Sequence, residues 1–144
     1  MENEIEWVDT LSVEDYLRLR TSTGWPEFPV EQAQNGLDKA FKIVAAKIGG
    51  ETVAMGRLLW DGSYVAYLSD VIVLEEYRGR ALGTTMVAKL ITALKEALKP
   101  GWRVKVSLMS ALGRESFYEQ FGFVRRPNDI AGAGMDQWFY GPPA

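Results

Sequence analysis

The chain contains neither cysteine nor histidine. Without cysteine there is no disulfide, no thiol nucleophile and no thiolate zinc site; without histidine the Ser-His-Asp triad and the usual catalytic zinc ligand sets are missing too. Chemistry here falls to carboxylates, tyrosine, lysine, serine, backbone amides or water, and no metal is expected. Long apolar runs are also lacking, and none approaches the length of a membrane span. The opening MENEIEWV is acidic and has neither the basic nor the apolar region of a secretory signal. A cytoplasmic location away from membranes is the expectation. Positive charge is in short supply as well: 16 Lys and Arg stand against 19 Asp and Glu, a formal net charge of −3. That balance argues against non-specific nucleic-acid binding, which depends on neutralising phosphates.

What remains is ordinary for one soluble domain: 144 residues, 47% hydrophobic and 24% charged, enough to close a core without staples. Residues 1–144 are read as a single domain. IEWV reads as a short strand. Ser12 and Asp15 occupy the N-cap and N3 positions of a helix running to about Thr21, with Leu11, Tyr16, Leu17 and Leu19 as its apolar contacts. TSTGWPEFP is a loop, and a second helix covers Val30 to Ala40 with Gly36 inside it. Three strands follow, FKIVAAKIG, TVAMGRLLW and VAYLSDVIVL, joined at Gly49-Gly50 and Asp61-Gly62, both hairpin signals. Gly56 marks a bulge or a close approach.

In TTMVAKLITALKEAL, Val87, Leu90, Ile91, Leu94 and Leu98 recur at spacings of three and four, which predicts an amphipathic helix ended by Pro100-Gly101. WRVKVSLMS alternates as a strand, so strand, helix and strand form a right-handed parallel βαβ unit. GRESFYEQF is a short helix stopping at Gly122, and Phe123-Val124 and MDQWFY read as two last strands. The expected fold is α+β (mixed α/β): a mainly antiparallel sheet of six or seven strands with about four helices.

RGRALG, residues 78–83, stands where the third long strand gives way to the amphipathic helix. The first turn of a helix leaves N–H groups unpaired at the positive end of its dipole, and glycines let the backbone approach a ligand closely. Two readings are open. A pyrophosphate sits on the amides near Arg80 to Thr84 with Arg78 or Arg80 at its rim, or the stretch is a tight connection with solvated arginines. The pattern is neither GxxxxGK[ST] nor GxGxxG, and hairpins before the helix argue against a Rossmann unit.

The stretch DVIVLEEYRGRALGTTMVAKLI resembles the acetyl-coenzyme A motif of the GCN5-related N-acetyltransferase superfamily, Arg/Gln-x-x-Gly-x-Gly/Ala. Arg78 is its first residue, Ala81 stands where the first motif glycine falls, and Gly83 is the last. FYEQFGF matches a second feature of the family through Phe117, Tyr118, Gly122 and Phe123. The resemblance covers nearly the whole chain. It implies an acetyltransferase-like fold with a splayed βαβ cofactor site and acetyl-CoA held by Arg78, Gly79, Arg80, Ala81, Leu82, Gly83 and Thr84. It further implies that backbone groups of Val71 and Val73 meet the pantetheine and thioester. Many relatives carry an asparagine before the last helix; SLMSALGRE has none, so its hydrogen bond to the pantetheine or a bound water is either absent or replaced, with Ser110 as the candidate. The resemblance assigns Tyr118 to the departing coenzyme A thiolate.

The activity it implies is direct N-acetylation of a primary amine on a small molecule, in a ternary complex. A protein or peptide acceptor and a noncatalytic acyl-CoA-binding sensor are the alternatives. Asp70 interrupts an apolar strand next to the splay, as a general base tuned by burial or as a structural acid on a bulge. Glu27 and a water chain are the other routes for the amine proton. Trp25, Glu27, Phe28 and Tyr67 form the candidate acceptor pocket; the aromatics would otherwise cap the core. The acidic balance suits a cationic amine, and a homodimer is left open.

Overall fold

A computed structural model gives the structure of residues 4–144. Met1, Glu2 and Asn3 of the acidic opening lie outside the described residues. The chain divides into two compact units, Met1–Leu108 and Met109–Ala144.

The first unit is a five-stranded mixed sheet with helices on both faces. Its strands are β1 (Ile5–Val8), β2 (Lys42–Ile48), β3 (Glu51–Trp60), β4 (Val65–Val73) and β5 (Lys105–Ser107), and they lie in chain order across the sheet. β1 to β4 pair antiparallel, and β5 joins β4 in parallel. Turn chemistry explains the hairpins. Gly49 and Gly50 take φ of 59° and 80° between β2 and β3, and Gly62 takes 84° between β3 and β4, conformations glycine reaches at no steric cost.

Helix α1 (Val13–Thr21) starts where the sequence places it: the Asp15 amide donates to Ser12 Oγ at 3.1 Å, removing one orphan donor of the first turn. Helix α2 (Val30–Asp38) ends two residues short of Ala40. Its internal Gly36 has a reason. A Cβ there would lie 3.4 Å from Arg57 Nη1, which donates to the Gly36 carbonyl at 3.2 Å.

Neighbouring side chains of β3 separate the two layers. Met55 packs with Val13, Tyr16, Leu19, Ala33, Leu37 and Ile72 beneath α1 and α2. On the other face, Gly56 lies against Leu90 and Met86 of helix α3 (Leu82–Ala97), as the alternation of a strand requires. Leu82, Met86, Val87, Leu90 and Leu94 form the buried stripe of α3.

The second unit holds helix α4 (Glu115–Glu119), ended near Gly122 at φ 92°. Phe117, Tyr118, Phe121 and Phe123 meet there edge to face. The two expected last strands do not form: 123–124 and 135–140 pair with no strand among the described residues, so the sheet has five strands and not six or seven. A strand exists through its ladder, and MDQWFY places Trp, Phe and Tyr in succession without the alternation that would put them on one face. Met135 and Phe139 stay 91% and 81% exposed.

Candidate functional site

β5 accompanies β4 only from Val65 to Tyr67, opposite Lys105 to Ser107. From residue 68 to Val73 the β4 edge continues with no strand beside it on that side among the described residues. A strand edge without a partner presents backbone donors and acceptors in register. The same edge carries a bulge. Arg57 pairs with Ser69 and Met55 with Ile72, so Gly56 faces two residues, Asp70 and Val71. Asp70 takes the left-handed φ of 55°, which bends the strand.

Beyond Val73 a 3₁₀ turn (Glu75–Tyr77) leads into RGRALG and α3. The glycine-rich stretch resolves into a helix start. Gly79 has φ 82°, and Ala81 is the N-cap in left-handed geometry, φ 59° and ψ 22°. The first backbone bond of the helix runs from the Thr85 amide to the Ala81 carbonyl, 3.0 Å. The amides of Leu82, Gly83 and Thr84 precede it; among the described residues the N-cap gives them no side-chain bond, and no acid sits in the first turn. These donors and the dipole behind them suit an anion.

The two arginines do different things. Arg78 turns back along the chain, its Nε donating to the Val73 carbonyl at 3.3 Å. The Arg80 guanidinium lies 5.3 Å from the Tyr77 ring centroid, on the surface. One of the two β4 residues expected to offer backbone groups therefore already has its carbonyl engaged.

Asp70 is buried, with 5% of its side chain exposed. Its carboxylate accepts from Arg20 Nη1 at 2.6 Å, Arg57 Nε at 2.7 Å and the Tyr16 hydroxyl at 2.7 Å. Burial, then the charge of Asp70, raises the Tyr16 hydroxyl above its usual range. Burial works against the charge of Arg57, but the hydrogen bond and charge of Asp70 outweigh it and raise the guanidinium further. Neither arginine was singled out from the sequence. Arg20 follows Tyr16 by four residues on the apolar face of α1, a phase that places a cation among buried residues and could have flagged it.

Of the candidate acceptor residues, Trp25 and Phe28 are half-buried and Glu27 is exposed. The Arg20 guanidinium carbon lies 5.4 Å from the Trp25 ring centroid and 4.6 Å from that of Phe28. Tyr67 sits half-buried on β4, paired with Leu59 and Ser107. In the second unit, Tyr118 is half-buried with its ring against Phe117 and Phe123. The Ser110 hydroxyl donates to the Ala111 carbonyl at 2.8 Å. Among the described residues no cluster of three or more acids could hold a metal, and no helix is long and apolar enough to cross a membrane.

The acetyltransferase (GNAT) family model matches residues 8–123. The chain is 27% identical to a probable acetyltransferase of unknown function from methicillin-resistant Staphylococcus aureus, with a TM-score of 0.82 over 94% of this chain and 100% of that one. It is 24% identical over 119 residues to the uncharacterized N-acetyltransferase ycf52 of Pyropia yezoensis, covering 80% of this chain and 66% of that protein. Against GCN5-related N-acetyltransferase 2, chloroplastic, of Arabidopsis thaliana the identity is 25% over 142 residues, 85% of this chain and 54% of that protein. The chain thus spans between about half and two thirds of the length of these two relatives.

Proposed function

Because the chain belongs to the acetyltransferase (GNAT) family, we propose that residues 1–144 act as one N-acetyltransferase domain that moves acetyl from acetyl-CoA to a primary amine of a small molecule. The observation that carries the reading is the β4 edge beyond Tyr67, with no strand beside it among the described residues, followed through the 3₁₀ turn and RGRALG by the first turn of α3, whose N-cap residue offers no side-chain bond. The donor set fits the ligand: extended backbone for an amide-bearing arm, then a cluster of N–H groups for a pyrophosphate. When bound, acetyl-CoA supplies an acetyl group activated as a thioester.

The roles of this chain's residues follow. The backbone of Val71 would orient the thioester arm, Val73 would offer its amide, and Gly79 to Thr84 would hold the pyrophosphate, with Arg80 as a cation at the rim. Arg78 supports the edge through Val73. Ser110 retains its lone pairs as acceptors. Trp25, Glu27, Phe28 and Tyr67 are assigned to the acceptor side. For Asp70 the structural role is favoured, because acting as a base would mean giving up bonds to two guanidinium groups. The amine proton then leaves through water. The motif assigns to the Tyr118 hydroxyl the proton that the departing thiolate takes up. A thiol with a pKa of about 8.5 leaves without much help, so this donor sits at the low end of general acid catalysis, about 100-fold.

The test is thiol release from acetyl-CoA over a panel of small primary amines and N-terminal peptides, with products identified by mass. Acetylated small amines support the reading, and acetylation of peptides alone overturns its substrate class. Binding without transfer to any acceptor would point to a sensor. In single turnovers with the best amine, Tyr118→Phe is expected to slow transfer about 100-fold while acetyl-CoA affinity is retained.

A further inference from the structure

Arg20 stands between two parts of the molecule that the proposed reaction uses separately. From α1, its Nη1 reaches Asp70 Oδ1 at 2.6 Å and its Nη2 reaches the Pro26 carbonyl at 3.0 Å. The Phe28 and Trp25 rings lie against the same guanidinium. One planar fork therefore holds the 22–29 loop on one side and the β4 bulge on the other.

Stability alone does not explain the arrangement. Asp70 already has Arg57 from β3 and Tyr16 from α1, so Arg20 adds a second buried cation to a single carboxylate. It also leaves its own Nε buried without a hydrogen-bond partner among the described residues. Surplus buried charge and an orphan donor are both costly. What Arg20 adds is reach: a guanidinium can hold two acceptors in fixed geometry, which an ammonium cannot. If the loop lifts, the Pro26 bond and both ring contacts go, and Arg20 can no longer hold Asp70 in the same orientation. Asp70 is the residue in left-handed geometry at the bulge, and its neighbour there is Val71.

We infer that Arg20 is a positioning residue that couples the 22–29 loop to the β4 bulge, so that packing of the loop and the geometry of the Val71 backbone change together. The inference rests on the functional reading above, which puts the acceptor at the loop and the thioester at the bulge. Its consequence is order: acetyl-CoA seated on the β4 edge stiffens the loop that is to receive the amine.

Hydrogen–deuterium exchange of the intact protein tests this, with and without acetyl-CoA. Without ligand, Arg20→Lys keeps the charge near Asp70 but loses the second arm. The amide of Trp25, which donates to Thr23 Oγ1 at 3.1 Å, and those of Asp70 to Ile72 should then exchange at least about tenfold faster, the effect of one charge-assisted hydrogen bond. Arg57→Lys should speed exchange at Asp70 to Ile72 and leave the loop within about twofold of the parent. Phe28→Leu removes the nearest ring at a half-exposed position and should speed exchange at the bulge as well as in the loop. Loop rates unchanged in Arg20→Lys, or bulge rates unchanged in Phe28→Leu, overturn the coupling; so does equal loosening of the loop by Arg57→Lys.

With acetyl-CoA, the parent should gain protection at Leu82 to Thr84 and also in the loop, and Arg20→Lys should keep the first and lose the second. Protection at Leu82 to Thr84 with no response of the parent loop overturns the coupling. No protection at Leu82 to Thr84 overturns the cofactor reading instead, and the ligand-free pattern then decides the clamp by itself.

Discussion

Ala81 occupies a conformation better suited to glycine. At φ 59° and ψ 22° its Cβ crowds the following carbonyl, a strain of roughly 1–2 kcal/mol for an L-residue, and its exposed position offers no packing in return. Ala81→Gly is expected to stabilise the fold by about 1 kcal/mol, read as a higher urea midpoint with an unchanged slope. Asp70 tolerates a similar φ for another reason, since three donors hold its carboxylate. Tyr16 supplies the hydroxyl of that group. Its folded pKa lies above the usual 10.0, through burial first and the charge of Asp70 second. The folded state keeps this proton when the unfolded chain has lost it. The contribution is therefore complete below about pH 10 and is lost as pH rises through the folded value. Tyr16→Phe should cost about 1.5–3 kcal/mol near neutrality, and the gap between parent and variant should narrow in denaturation curves taken above about pH 10.

Among the elements, β3 and α3 approach each other closely at one glycine. A Cβ on Gly56 would stand 3.1 Å from Leu90 Cδ1 and 3.6 Å from both Met86 Cγ and Val71 Cγ2. Leu90 and Met86 are fully buried and have little room to yield. Gly56→Ala is expected to destabilise by about 1–3 kcal/mol, as overpacking does, and thermal unfolding would report it. α3 was legible in advance because its apolar spacing matches the helical repeat, and the hairpins because Gly49, Gly50 and Gly62 supply positive φ. The last two expected strands rested on composition alone. Aromatic residues favour strands only where a neighbour accepts their ladder, and residues 135–140 have none among the described residues.

For the molecule as a whole, the cofactor reading makes a thermodynamic demand. A ligand that binds only the folded chain stabilises it by about 2.7 kcal/mol at 100 times its dissociation constant, so acetyl-CoA should raise the melting temperature in a concentration-dependent way. Gly83→Val, which puts a branched side chain among the first-turn amides, should shrink that shift at the same ligand concentration. The family, the helix start at RGRALG and most of the secondary structure follow from the sequence by itself, because motifs, periodicity, caps and turn residues act over short stretches of the chain. The tertiary structure alone decided that Ala81 and Asp70 are left-handed, that Arg78 is engaged by Val73, and that the sheet has five strands among the described residues. It also decided the partners of Asp70, which come from 54, 50 and 13 residues away. No local pattern records which distant donors a buried carboxylate will meet; that is set when α1, β3 and β4 come together.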